Sequence, residues 1–210
     1  MENIGKLHYI TQDIATCSHP ALAELACKGG VKWIQLRVKN KKQKEWIEIA
    51  RKTKLICDKY NSVLVINDNV EIVKEIKAVG VHLGKDDMSI KEARKKLKSK
   101  YIIGGTANSL EDILKLTKND VNYIGLGPFK ITDTKENLGS VLGIYGIKKI
   151  VNEYYSLKCR HVPIIAVGGI LPEDVKSLLD AGVYGIAVSS AITKAKDKSG
   201  MINKFLKELS

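Results

Sequence analysis

No two cysteines in this chain stand two residues apart, and no run of about 18 apolar residues occurs anywhere in it. The first absence removes the Cys-x-x-Cys spacing of zinc ribbons and dithiol redox centres. Cys27 and Cys57 fall among apolar helix positions, so the four cysteines (Cys17, Cys27, Cys57, Cys159) read as reduced packing residues, not as bridges or metal ligands. The second absence excludes a spanning helix, and the start at 1–6 has no basic stretch followed by an apolar one, so a cytoplasmic location is expected. Aromatics are scarce at 6%, and none interleaves with a basic stripe in the manner of a nucleic-acid platform. Trp33 and Trp46 read as packing residues. Glycine is missing from the turn 11–19, which argues against a dinucleotide-binding first loop.

Positive charge, by contrast, is abundant: 35 Lys and Arg against 23 Asp and Glu, formal net +12. Such a balance suits nucleic acid, an acidic surface or small anions, and charge alone does not choose among them. Position helps. The lysines at 41–44 and 91–100 alternate with apolar residues at helical spacing, as solvated outer helix faces do. No nucleic-acid or membrane partner is therefore expected, and small anionic molecules remain.

At 210 residues and 44% hydrophobic, the chain is sized for one well-cored domain, expected over 1–210. Short β-rich runs at 7–10, 33–38, 63–67, 81–83, 101–104, 123–126, 163–167 and 185–189 alternate with helical patterns at 20–28, 42–60, 70–78, 89–98, 109–117, 144–155, 172–181 and 200–209. Several of these helices run into glycine, at 29–30, 80 and 182, where a left-handed cap favours that residue. Eight strand-helix repeats predict an α/β fold, the closed (β/α)8 TIM barrel, in which chemistry sits on the loops that follow strands.

Those strand ends are polar. In "QLRVK", a period of two puts Gln35, Arg37 and Lys39 on one face, toward the barrel mouth. The third strand ends on Asn67 and Asp68, and "GVHLGKDD" carries His82, Lys85, Asp86 and Asp87. Carboxylates on neighbouring tips, opposite Arg37 and Lys39, suit one Mg²⁺ held by Asp68 and Asp87 and shared with phosphate oxygens. The competing role for each is a helix N-cap. His82 reads equally well as a hydrogen-bonded barrel residue or as a catalytic one. Toward the other end, Gly168-Gly169 and Ser189-Ser190 follow strands seven and eight, where backbone N–H groups serve phosphate in this fold, although a glycine pair also makes simple tight turns. After strand six the chain leaves through Gly-Pro and offers Thr132, Thr134 and Lys135, groups able to hold an anion, within a polar stretch long enough for a mobile loop.

Taken in order, "QLRVK", "IND", "GVHLGKDD", "GLGPFKITDTK", "AVGGI" and "GIAVSSAI" make the chain resemble the thiamine phosphate synthases over nearly its whole length. The resemblance implies condensation of a hydroxymethylpyrimidine diphosphate with a thiazole phosphate, releasing pyrophosphate. It implies that Gln35, Arg37, Lys39, Asn67, Thr106 and Lys135 hold the pyrimidine diphosphate, with Arg37, Lys39 and Lys135 acting on the leaving group. It further implies Mg²⁺ on Asp68 and Asp87, and the thiazole phosphate on Thr132, Thr134, Gly169, Ser189 and Ser190. Three positions depart from the pattern: Lys85 stands where glutamine is usual, Thr106 where serine is, and Asn108 where histidine is frequent. A similar sister group, the thiazole tautomerases, is expected to use that histidine as a proton shuttle, which asparagine cannot replace. A non-catalytic phosphate-binding barrel is the other alternative. Pairing of barrels into a homo-oligomer and carboxylation of the thiazole are left open.

Overall fold

The structure is a computed structural model that describes residues 4–131 and 140–210. Eight parallel strands close into a barrel in chain order: β1 Leu7–Ile10, β2 Trp33–Leu36, β3 Val63–Asn67, β4 Gly80–Leu83, β5 Ile102–Ala107, β6 Tyr123–Leu126, β7 Ile164–Val167 and β8 Gly185–Val188. Closure is made by β1 on β8, with Leu7 opposite Ile186 and Tyr9 opposite Val188. Helices α1 His19–Lys28, α2 Gln43–Lys59, α3 Val70–Ile76, α4 Ile90–Leu97, α5 Leu110–Thr117 and α6 Gly143–Ser156 follow the first six strands in turn. A 3-10 turn Pro172–Asp174 and α7 Val175–Asp180 follow β7, and α8 Ser190–Thr193 with α9 Lys198–Glu208 follow β8.

Period two along each strand sorts the hydrophobic residues into two bodies. Outward residues such as Leu36, Ile66, Val81, Ile103 and Ile186 join the helices in the larger core. Inward residues Trp33, Val65, Ile102, Tyr123, Ile165 and Ala187 form a separate cluster that fills the lumen. His8 lies flat on Trp33, ring centroids 4.5 Å apart, and Tyr123 meets Trp33 edge-on at 5.7 Å. The barrel is thus a packed cylinder below its mouth.

Some boundaries differ from those read in the sequence. β2 stops at Leu36, so Arg37 and Lys39 lie on a loop and not on the strand. β5 runs on to Ala107, which puts Thr106 inside it. The expected helix 172–181 divides in two. The glycine caps hold at Gly30 and Gly182, with φ of 96° and 90°. At the third site the left-handed cap of α3 is Lys77, φ 54°, and Gly80 is a strand residue. Cys27 and Cys57 are buried, and no described helix is long and apolar enough to cross a membrane.

Candidate active site

The C-terminal strand ends surround a cavity of about 580 Å³. Gln35, Arg37, Lys39, Asn67, Asp68, Asp87, Thr106, Gly169, Ser189 and Ser190 all line it, as do His82, Lys85, Asp86 and Asn108. Residues far apart in the chain therefore share one opening. Thr132, Thr134 and Lys135 lie outside the described residues. Their flanks are at the mouth: Phe129 N–H donates to Val167 O at 2.9 Å, Lys130 N–H to Gly168 O at 2.9 Å, and Leu142 N–H to Pro128 O at 2.9 Å.

The loop after β2 owes its course to the β1–α1 connection. Arg37 N–H donates to Thr11 Oγ1 (3.2 Å) and Lys39 N–H to Asp13 Oδ2 (2.9 Å). His19 meets Thr11 Oγ1 through Nδ1 (2.8 Å) and Asp13 Oδ1 through Nε2 (3.0 Å). Thr11, Asp13 and His19 thus hold two cationic residues at the mouth where the strand no longer does. Sequence reasoning missed this support because its members come from a stretch notable only for lacking glycine.

Asp68 has a left-handed backbone, φ 66°, which Asp tolerates better than most residues. Its N–H donates to His82 O at 2.8 Å, extending the β3–β4 pairing by one residue and holding the carboxylate at the rim. Lys39 Nζ reaches Asp68 Oδ2 at 2.9 Å. Asp87 Oδ2 accepts from Gly84 N–H at 2.6 Å. Burial first, and the adjacent Asp68 carboxylate second, push the Asp87 carboxyl up to about 6. Neither carboxylate caps a helix. Asn69 caps α3 through Ile72 N–H, and Ser89 caps α4 in a reciprocal box with Glu92. The capping role is filled by neighbours, and the two acidic groups instead meet each other, Lys39 and Gly84 at the mouth.

Two adjacent carboxylates beside a lysine fit a hard divalent ion. Among the described residues no group of three or more His, Cys, Asp or Glu gathers as a metal cluster. Two carboxylates alone would suit only an ion that keeps water and takes further oxygens from a ligand, as Mg²⁺ does.

Across the mouth, Gly168 and Gly169 turn with φ of 103° and 64°. A Cβ on Gly169 would lie 2.8 Å from Lys130 Cβ and 2.9 Å from Ile131 O, so this turn packs directly under the exit of β6. Ser189 Oγ donates to Ile10 O at 2.7 Å, which assigns its hydroxyl to the barrel wall. Tyr9 and Thr193 join through their hydroxyls at 2.7 Å and anchor α8 behind it. The first N–H groups of a helix have no acceptor within it, and Ser190, the first residue of α8, lines the cavity.

Two departures from the family pattern have structural partners. Lys85 pairs with Asp112 Oδ2 at 2.6 Å. Asn108 donates its side-chain amide to Gly127 O and its N–H to Asp112 Oδ2 at 2.9 Å, stapling the end of β5 to the end of β6. Lys194, one turn beyond Ser190, lines the cavity as a further cation that no sequence motif indicated.

A closed (β/α)8 barrel with glycine and serine turns, cationic residues and paired carboxylates at its C-terminal mouth has the architecture of an enzyme of phosphorylated small molecules. A family model described as thiamine monophosphate synthase matches residues 7–192. The chain is 43% identical over 205 residues to a thiamine-phosphate synthase of Flavobacterium johnsoniae, covering 98% of this chain and 96% of that one. It is also 43% identical over 192 residues to a thiamine-phosphate synthase of Phocaeicola vulgatus, covering 91% and 92%. Among solved structures, thiamine phosphate pyrophosphorylase from Pyrococcus furiosus superposes with a TM-score of 0.85 at 31% identity, covering 97% of this chain and 95% of that one. The chain belongs to the thiamine monophosphate synthase family.

Proposed function

We propose that this chain joins 4-amino-2-methyl-5-hydroxymethylpyrimidine diphosphate to a thiazole phosphate, giving thiamine phosphate and pyrophosphate. The observation that carries the reading is the convergence of Arg37, Lys39, Asp68, Asp87 and Thr106 with Gly169 and Ser190 on one cavity. A diphosphate placed at the Arg37–Lys39 side would meet two cations and, at the Asp68–Asp87 pair, a site suited to Mg²⁺. A second, singly phosphorylated partner would rest its phosphate on the backbone at Gly169 and Ser190, where N–H groups rather than charges hold it.

The reaction breaks the C–O bond between the pyrimidine methylene and the diphosphate, and the bonding pair leaves with pyrophosphate. The thiazole nitrogen then supplies the pair for the new C–N bond. Charge builds on the departing oxygens while the pyrimidine ring takes up the positive charge, so Arg37 and Lys39 stabilise the state between the two bonds. Mg²⁺, when bound by Asp68 and Asp87, adds positive charge at the same oxygens. No protein nucleophile is required, and holding the two reactants face to face supplies much of the rest of the acceleration. Thr132, Thr134 and Lys135 are assigned here to the phosphate and diphosphate because the residues on either side of them stand at the mouth. Asn108, whose amide is occupied by Gly127 O and cannot exchange a proton near neutral pH, supports condensation over isomerisation.

Mixing both substrates with Mg²⁺ and following pyrophosphate release tests the reading. Stoichiometric pyrophosphate and thiamine phosphate are expected. Retained substrate binding without turnover would make the barrel a binding module.

A further inference from the structure

Inside the barrel, one polar chain is built to a design that substrate binding alone does not explain. His82 of β4 and Tyr123 of β6 are separated by β5, where Gly104 is the register partner of both. A Cβ on Gly104 would lie 2.2 Å from Tyr123 Cζ and 2.5 Å from its hydroxyl. Likewise a Cβ on Gly125 would lie 3.1 Å from His82 Cε1. Two missing side chains thus make a slot through which the Tyr123 hydroxyl crosses the intervening strand to His82 Nδ1, at 3.0 Å. On its other side His82 Nε2 meets Thr106 Oγ1, also at 3.0 Å. Thr106 lines the cavity; Tyr123 is 1% exposed.

We infer that His82, set by Tyr123, is a positioning residue that accepts the phenolic proton on Nδ1 and donates from Nε2 to Thr106, leaving the Thr106 proton directed at bound substrate. The direction follows from counting protons. A phenol has one to give, and a buried one must give it. Among the described residues the hydrogen bond made by the buried Tyr123 hydroxyl is the one to His82 Nδ1, and the Trp33 ring nitrogen beside it makes none. The phenolic proton therefore goes to His82 Nδ1. A neutral imidazole that accepts at one nitrogen donates at the other, so Nε2 carries its proton toward Thr106. The hydroxyl, its oxygen already receiving a hydrogen bond, turns its own proton into the cavity. Thr106 therefore presents a donor to an anionic or carbonyl-like ligand atom instead of rotating freely.

This inference rests on Thr106 being a substrate contact, and the experiment separates the two claims. Full-length protein labelled with ¹⁵N-histidine is examined by long-range ¹H–¹⁵N correlation, with His82 assigned by the loss of its signals in His82→Gln. The expected spectrum has the proton on Nε2, and Tyr123→Phe mixes the tautomers. Protonation on Nδ1, or on both nitrogens at neutral pH, overturns the inference. In kinetics, Tyr123→Phe lowers kcat/KM for the pyrimidine diphosphate roughly fivefold to tenfold, the size of one neutral hydrogen bond, and leaves KM for the thiazole phosphate unchanged. Combining it with Thr106→Val adds no further loss. His82→Gln, which can still donate to Thr106, retains more activity than His82→Leu, a rescue that packing alone does not give; equal losses overturn the inference. An unchanged rate in Thr106→Val removes the substrate contact on which the inference stands, and the tautomer spectrum tells that failure from failure of the relay.

Discussion

Asp87 shows how a single carboxyl reports on the site. Its folded value of about 6 lies above the ordinary 3.8, because burial and then Asp68 oppose its ionised form. A raised value means that the folded state binds the proton more tightly than the unfolded chain. The associated stability is therefore complete below about 4 and disappears as pH climbs through about 6. In the absence of divalent ions, the Tm of the wild type should fall across that interval more than that of Asp87→Asn; parallel curves would show that the two carboxylates are not in conflict. Mg²⁺ should reverse the trend, raising Tm more above pH 6 than below it, and Asp68→Ala or Asp87→Ala should abolish Mg²⁺-dependent turnover while the chain stays folded. Full turnover in either variant would remove the metal assignment. The residues of this site differ in how far they could be read in advance. Gln35, Arg37, Asp68 and Asp87 were legible because they stand in or just beyond apolar strands, where a polar group is costly unless it is used. The Tyr123–His82–Thr106 chain was not, since its members stand 41 and 24 residues apart and meet only through a gap left by glycine.

At the scale of elements, the mouth and the opposite end of the barrel are built differently. Near the strand starts, Arg94 of α4 donates to Lys98 O (2.9 Å), Tyr101 O (2.8 Å), Asp120 O (2.8 Å) and Asn122 Oδ1 (2.7 Å), tying α4 to the entries of β5 and β6. Asn122 Oδ1 also receives Ile103 N–H at 2.8 Å, so one guanidinium organises several connections. Arg94→Ala should cost about 2 kcal/mol by stranding these acceptors, a drop in Tm of about 4–8 °C in a chain of this size, with kcat/KM unaltered. A variant that keeps its Tm but loses activity would contradict that division of labour. Element order was legible from alternation alone, and the strand count and closure followed from it. The ends of elements were less so. β2 looked longer because Arg37 and Lys39 continue its period, yet their N–H groups bond to Thr11 and Asp13 and not to a neighbouring strand. A pairing with a side chain twenty-six residues away leaves no mark on local periodicity.

For the whole molecule, the net charge of +12 is spread and not focused. Lys41, Lys42 and Lys44 are exposed around the start of α2, and Lys91, Lys95, Lys96, Lys98 and Lys100 are exposed along α4 and the turn after it. Several are paired locally, as Lys41 is with Glu45 and Lys96 with Glu71. Exposed pairs of this kind contribute about 0–1 kcal/mol each, so their service is solubility and long-range attraction of anions. Duplex DNA should not be retarded by this protein at physiological ionic strength, whereas pyrophosphate inhibition should weaken as salt rises; a salt-sensitive gel shift with DNA would instead give the basic helices a nucleic-acid role.

The filled lumen has a consequence for traffic. Because His8 stacks on Trp33 and Tyr123 meets both edge-on inside the lumen, the described barrel is filled below its mouth, and reactants and products should pass through that mouth. Exchange is thereby confined to one end of the barrel by a plug of aromatic rings, one of which, Tyr123, also reaches back toward the cavity through His82 and Thr106.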